Sequence, residues 1–249
     1  MDRRLFVFLD GELLPLHCRM HLCGRNEMTL SPTLFQLDLY LPSENIAGQL
    51  STGKKIAVHS TFESVLATGS ILDVLSETRE GRQITSVIFS DGLPFANSFV
   101  SASFPAGASL RTITEQLLSA SSVTQPLTGF TATDKVFPLG TSFFGSTADS
   151  LQSLAVDLNA NVFLFRSGIY MLGRDSAPDT IDLTPEDVLD AVSSGKDVRI
   201  LTTSMKGWPI GSMLRFGDLQ GQILCQTFDA DTGEGAWSTK VILRGISNE

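Results

Sequence analysis

The chain has 249 residues, 42% of them apolar and only 18% charged, which is enough apolar content for a sizeable core and too much for a disordered chain. Eighteen basic against 27 acidic residues leave a net charge of −9 and a pI near 4.8; affinity for nucleic-acid backbones or anionic lipid needs clustered Lys and Arg and is argued against. Serine and threonine supply about a fifth of the chain and stand in for the missing charge.

Met1-Asp2-Arg3-Arg4 followed by Leu5-Phe6-Val7-Phe8-Leu9 opens like a secretory signal, but the apolar stretch stops at Asp10, short of the ~7–15 residues an h-region needs. It reads as a first strand, turned by Asp10-Gly11. No apolar run approaches the ~18–20 residues of a membrane span, so a soluble protein made in the cytoplasm is expected. From Leu14 to Leu22 apolar residues alternate with His17, Arg19 and His21, the period of a half-buried strand. Phe35, Leu37, Leu39 and Leu41 alternate again and are ended by Pro42. Lys54 to His59 and Ser64 to Ser76 are further strands. Glu80-Gly81 turns the chain into a strand from Ile84 to Phe89, Asp91-Gly92 turns it again, and Val100 to Phe104 closes the series.

The period then changes. Leu110, Ile113, Leu117 and Leu118 have the spacing of an amphipathic helix capped by Ser109. A Ser/Thr/Gly stretch runs from Ser119 to Thr133. A second helix spans about Thr147 to Leu158, with Leu151, Leu154, Ala155 and Leu158 on one face, Ser146 or Thr147 as cap and Asp149 near the positive end of its dipole. Val162–Arg166 and Ile169–Leu172 pair around Ser167-Gly168. Asp182-Leu183-Thr184-Pro185-Glu186-Asp187 reads as the start of a short helix, with Thr184 as cap, Pro185 at the first helical position, and Val188, Leu189 and Val192 on its buried side. From Asp197 the chain is β again, with strands Val198–Thr203, Met213–Phe216, Gln222–Phe228 and Trp237–Leu243 and a hairpin loop from Asp229 to Gly235. The expected class is α+β, mainly β. Residues 1–105 form one β domain, 106–180 an α/β insert of two helices and a hairpin, and 181–249 a second β domain. Two similar barrels and one split β domain both fit that order. There is no short-period repeat.

Few residues point to chemistry. Gly48-x4-Gly53-Lys54-Lys55 nearly spells a phosphate-binding loop, but Lys55 stands where Ser or Thr would ligate Mg²⁺, and a strand follows where a helix should. His17-Cys18-x-x-His21-x-Cys23 is the densest set of metal-type ligands. Structural zinc needs four convergent ligands, and only His59 and Cys225 remain elsewhere, so an ordinary strand is the reading. Three cysteines, Cys18, Cys23 and Cys225, give no disulfide framework. Asp229-x-Asp231-x-Gly233-Glu234 lacks the later ligands of a calcium loop. Asp73, Glu77 and Glu80 read as solvated acids. Neither Gly-x-Ser-x-Gly nor His-Glu-x-x-His occurs. No catalytic, cofactor-binding or metal residue is assigned, no cofactor is expected, and the chain is read as a non-enzyme. Trp208, ahead of Pro209, and Trp237 are either core or interface anchors.

Four stretches carry a resemblance. Ser90-Asp91-Gly92 runs into Phe95-Ala96-Asn97-Ser98, then Val100 to Phe104, Gly107 and the helix to Leu118. Gly145-Ser146-Thr147 leads the Leu151-x-x-Leu154-Ala155 helix into the hairpin ending at Leu172. Asp182 to Asp187 follows, and then Pro209-Ile210-Gly211-Ser212-Met213 with Gln222-Ile223-Leu224 and the closing hairpin to Leu243. In succession, over about residues 60–245, these resemble the central hub proteins of bacteriophage tails and baseplates, the T4-type baseplate hub and its Mu-like and long-tailed relatives. The resemblance implies two tail-tube-like antiparallel β-barrel or sandwich regions flanking a small α/β insert. It also implies a structural virion protein of the tail tip or baseplate, a hub ring joining the tube to the tip or spike. A homotrimer would show six-fold pseudosymmetry to the tube. The implied partners are the tail tube, distal tail, spike or tip, and tape measure proteins. DNA would pass through the channel without specific binding, the acidic excess keeping it off the wall during genome ejection; no membrane is involved. A distal tail or head–tail adaptor ring is the alternative, and a tail-associated cell-wall hydrolase the second alternative.

Overall fold

The computed structural model describes residues 3–245 except 43, 62–63, 80, 122–124, 175 and 195–197. The chain opens with β1 (Phe6–Leu9) and β2 (Glu12–Leu13), joined by Asp10 (φ 51°) and Gly11 (φ 89°), the two positive-φ positions of a tight hairpin turn. Next come β3 (Arg19–Glu27), β4 (Thr33–Tyr40), α1 (Glu44–Gln49), β5 (Lys55–His59), β6 (Val65–Arg79) and β7 (Arg82–Asp91). An insert follows: α2 (Leu93–Ala96), β8 (Phe99–Phe104), α3 (Leu110–Ala120), β9 (Leu127–Phe130), β10 (Thr141–Ser146), α4 (Thr147–Asp157), β11 (Ala160–Phe165) and β12 (Gly168–Gly173). The chain ends with β13 (Thr180–Asp182), β14 (Val188–Ser194), β15 (Val198–Thr203), β16 (Met213–Phe216), β17 (Leu219–Asp231) and β18 (Trp237–Gly245). Glu80 of the expected Glu80-Gly81 turn and Asp197, where the last β region was expected to open, lie outside the described residues.

The architecture is mainly β, and among the described residues no sheet closes into a barrel. Strands from both ends share one 13-stranded sheet, ordered β14-β15-β18-β17-β3-β4-β7-β6-β5-β1-β2, with β16 on β17 and β13 on β16. The seam is β17 on β3, antiparallel from Cys225↔Glu27 to Asp231↔His21.

This sheet contains one unit twice. The first copy is β3 to β7 and the second β14 to β18. In each, two hairpins enter in the same chain order and the same spatial order, so β3, β4, β5, β6 and β7 correspond to β14, β15, β16, β17 and β18. Both copies carry a bulge at the same place: the ladder skips between Ile71 and Asp73 in one and between Ile223 and Cys225 in the other. Two residues before each bulged pair's first member stands a glycine whose Cβ would strike backbone. An atom there at Gly69 would lie 2.4 Å from the Ser90 carbonyl oxygen, and at Gly221 2.7 Å from that of Arg244.

One face of the sheet is apolar. Leu22, Phe35, Leu37, Val58, Leu66, Val87, Phe89 and Phe228 form a core under the first unit. The insert has its own core, built from Phe95, Val100, Ile113, Leu117, Leu151, Leu154 and Met171. Alternate residues of β11 and β12, Phe163, Phe165 and Leu172, point the other way and pack with Leu201, Trp208, Ile210, Leu214 and Leu243 of the second unit. β8, on the N-terminal side of residue 105, pairs with β10 within the insert.

Several expectations need correction. The strand expected from Leu14 begins at Arg19, because Pro15 has no N–H for a ladder; Met20 and Leu22 still face the core. Leu41 leaves the pattern with φ 55° and is 62% exposed. The insert hairpin turns on Arg166 and Ser167, both at positive φ, so Gly168 is already in β12 and pairs with Phe165. The helix expected from Asp182 is absent. Thr184 and Asp187 close a single turn, Thr184 donating through N and Oγ1 to Asp187 Oδ2, and β14 follows on β15. Leu189 and Val192, expected on a buried helix side, are exposed; strand pairing overrides the local helix-start pattern. The two other helices form where expected, capped by Ser109 and Ser146.

Candidate assembly surface

The second face of the sheet is polar, because β alternation puts odd-numbered residues of β3 and even-numbered residues of β4 opposite the core. Across the seam, Arg19 Nε donates to Asp231 Oδ1 at 2.9 Å while its Nη2 bonds Oδ2, and His21 Nε2 meets Asp229 Oδ1 at 2.9 Å. The Arg19 bond holds the Asp231 carboxyl below its ordinary pKa. Asp38 accepts from Gln36 Nε2 at 2.8 Å and from Ser86 Oγ at 2.6 Å. Arg25 pairs with Glu27 and donates to Cys225 Sγ at 2.9 Å. Glu77 bonds Arg79 at 2.5 Å. Each arginine named on this face thus stands beside a carboxylate.

The ligand-type residues singled out in the sequence are not brought to one site. His17 is exposed and off the strand; His21 is engaged by Asp229; Cys18 and Cys23 are half-buried. Burial raises the thiols of Cys18, Cys23 and Cys225, which opposes the thiolate a metal or a nucleophilic reaction needs. Among the described residues no group of three or more His, Cys, Asp or Glu could hold a metal ion. Gly53 (φ 89°) turns the chain, Lys54 Nζ donates to Gln49 O at 2.9 Å, and Lys55 opens β5, so no helix N-terminus faces a phosphate. Asp231 turns inward to Arg19 and to the Gly233 N–H, away from any calcium loop. Trp208 is 8% exposed in the core under the second unit, which settles its role as packing, and Trp237 packs partly against the first.

Asp91 docks the insert to the sheet. It ends β7 with 5% exposure and accepts from Ser167 N and Oγ at 2.9 Å each; burial raises its pKa. Arg166 Nη2 donates to Val65 O at 2.6 Å beside it, and Leu164 N to Thr29 O. Gly92, at φ 83°, leaves room for Leu164, whose Cδ2 would lie 1.9 Å from a Cβ there.

The repeat is the feature sequence reading missed. Its signal is short: Gly69-Ser70-Ile71-Leu72-Asp73 against Gly221-Gln222-Ile223-Leu224-Cys225, then Val87-Ile88-Phe89 against Val241-Ile242-Leu243. These are the bulge and the strand opposite it in each unit.

No protein-family model and no curated protein matches this chain. Solved structures share its fold. The tail protein from Neisseria meningitidis MC58 aligns with a TM-score of 0.69 at 9% identity, covering 98% of this chain and 97% of that one. The 43 kDa tail protein of prophage MuSo2 from Shewanella oneidensis gives 0.67 at 10% identity over 97% and 98%. The E. coli c3393 protein, a component of the type VI secretion system with structural similarity to T4 bacteriophage tail proteins gp27 and gp5, gives 0.65 at 10% identity over 97% of this chain and 77% of that one. At these identities the likeness is one of fold.

Proposed function

We propose that this chain, which shares its fold with phage tail proteins, is a structural hub of a phage tail. In this reading it forms a ring at the tail tip or baseplate that joins the tube to the tip or spike and surrounds the DNA exit channel. One observation carries the reading: the same five-strand unit occurs twice, in the same orientation and connectivity, along one sheet. A ring of three such chains presents six equivalent blocks, which a hexameric tube can meet block for block. The proposed division runs from β3 to β7, then the insert, then β14 to β18. The polar sheet face suits a channel wall, because its arginines are each held by a carboxylate, Arg19 by Asp231 across the seam and Arg25 and Arg79 by Glu27 and Glu77 of their own strands, and so offer DNA no free cationic track.

The role is interface burial and symmetry matching, without bond chemistry. The proposed partners are other copies of the chain, the tube protein, the distal tail protein, the tape measure and the spike or tip, within the virion. The mass of the isolated oligomer tests the ring: three chains are expected, and a closed ring of six or twelve supports an adaptor in place of a hub.

A further inference from the structure

Between β2 and β3, residues 14–18 run as a strap outside the sheet ladder. A cavity of about 630 Å³ lies between this strap and residues 3–6, and one of about 200 Å³ between the strap and Leu41, Pro42 and Ile46. Pro15, Leu16, His17 and Cys18 line both, so the two form one groove divided by the strap.

The groove is apolar inside. Leu5, Leu14 and Met20 line the larger cavity from the core, and Leu13 stands in it 46% exposed. At the smaller cavity Leu41 is 62% exposed and held at φ 55°. Left-handed backbone is unfavourable for a leucine, and an apolar side chain left in water is unfavourable too; strained positions of this kind cluster at ligand clamps.

The charge around the groove has one sign. Arg3, Arg4, His17 and Arg19 line the larger cavity, and among the described residues no acid lines either one, in a chain with 27 acidic and 18 basic residues. Arg19 is neutralised by Asp231. Arg3 is held differently: its Nη1 donates to the carbonyl oxygens of Gly233 and Gly235, at 3.2 and 2.8 Å. Those bonds fix the guanidinium without cancelling its charge, which leaves it preorganised for an anion.

We infer that this groove binds an extended segment of a partner protein in which a carboxylate is flanked by apolar side chains. The carboxylate meets Arg3 and Arg4, and its apolar neighbours fill the cavities on the two sides of the strap. A lone alkyl chain with an acid head would fill one cavity only. The inference goes beyond the hub reading and does not rest on it.

The test is selection of a random heptapeptide library on the immobilised full chain, followed by fluorescence anisotropy with the recovered peptides. Peptides that carry Asp or Glu between Leu, Ile, Met or Phe are expected. Changing the peptide's acid to Lys, or making Arg3→Glu or Arg4→Glu in the chain, is expected to weaken binding roughly tenfold, while Arg215→Glu, on β16 of the second unit, leaves it unchanged. Leu41→Gly is expected to weaken binding without lowering the thermal midpoint, because glycine accepts the positive φ; this separates docking from folding, and thermal unfolding confirms that the arginine variants fold. A library that yields no peptide, peptides without an acid, or binding indifferent to Arg3→Glu and Leu41→Gly overturns the groove. Sodium decanoate binding as tightly as the peptide overturns it too, in favour of a site for an alkyl carboxylate. The oligomer mass, which tests the hub reading, is independent of all these outcomes.

Discussion

Asp91 and Asp231 are shielded carboxylates with opposite pKa shifts, and the difference is measurable. Asp231 is lowered by Arg19, so its contribution is present above the ordinary aspartate pKa and lost as pH falls through its depressed value. Asp231→Asn is expected to cost about 1 kcal/mol at neutral pH, discounted for the exposure of Arg19, with the gap to wild type closing below about pH 4 in urea titrations. Asp91 is raised by burial, so its folded form takes a proton before the unfolded one does. Stability linked to it therefore falls as pH rises from the ordinary value through the raised one, and Asp91→Asn is expected to remove that slope from the pH profile. Asp91→Ala strands the Ser167 N–H and is expected to cost about 1–3 kcal/mol. Neither pairing was legible in the sequence. Asp91-Gly92 reads as a turn from its residues, but its partner Ser167 is 76 positions away, and nothing local announces it.

Elements that carry a local sign of period, cap or turn could be read from the residues, and short elements held by pairing alone could not. The helices α3 and α4 carry their own caps and apolar stripes, and Ser109 and Ser146 each accept the expected N–H, Thr112 and Asp149; Ser146→Ala is expected to lower stability by about 1 kcal/mol. The segment Thr184-Pro185-Glu186-Asp187 carries the same local signs, yet β15 offers Val188–Ser194 a ladder and takes it. The short β9 and β10 were hidden because each needs a distant strand, β12 and β8. The paired bulges make a sharper expectation. Gly69→Ala and Gly221→Ala each force a Cβ onto a carbonyl oxygen, so each is expected to cost about 1–3 kcal/mol by chemical denaturation, alike in both units. A cost at one glycine and none at the other would contradict the equivalence of the bulges.

For the whole molecule, the opening composition acquires a physical sense. A chain with 18% charged residues and a fifth Ser and Thr forms a sheet with one apolar face and one mixed-sign polar face, and desolvating a surface so poor in charge costs less than burying unpaired charge. The mainly β class, the two β regions and the insert between them were legible, because period and turn residues are local. That the regions form one sheet was not: the β17–β3 seam joins residues about two hundred positions apart, and the repeat behind it is spelled by five residues around each bulge. The central claim is that two like units in each chain let three copies match a six-fold tube. Electron cryomicroscopy of the native tail, with this chain located in the map, tests it most directly. Three copies in a ring coaxial with the tube are expected; six or more copies in that ring, or a position off the tube axis, would contradict it.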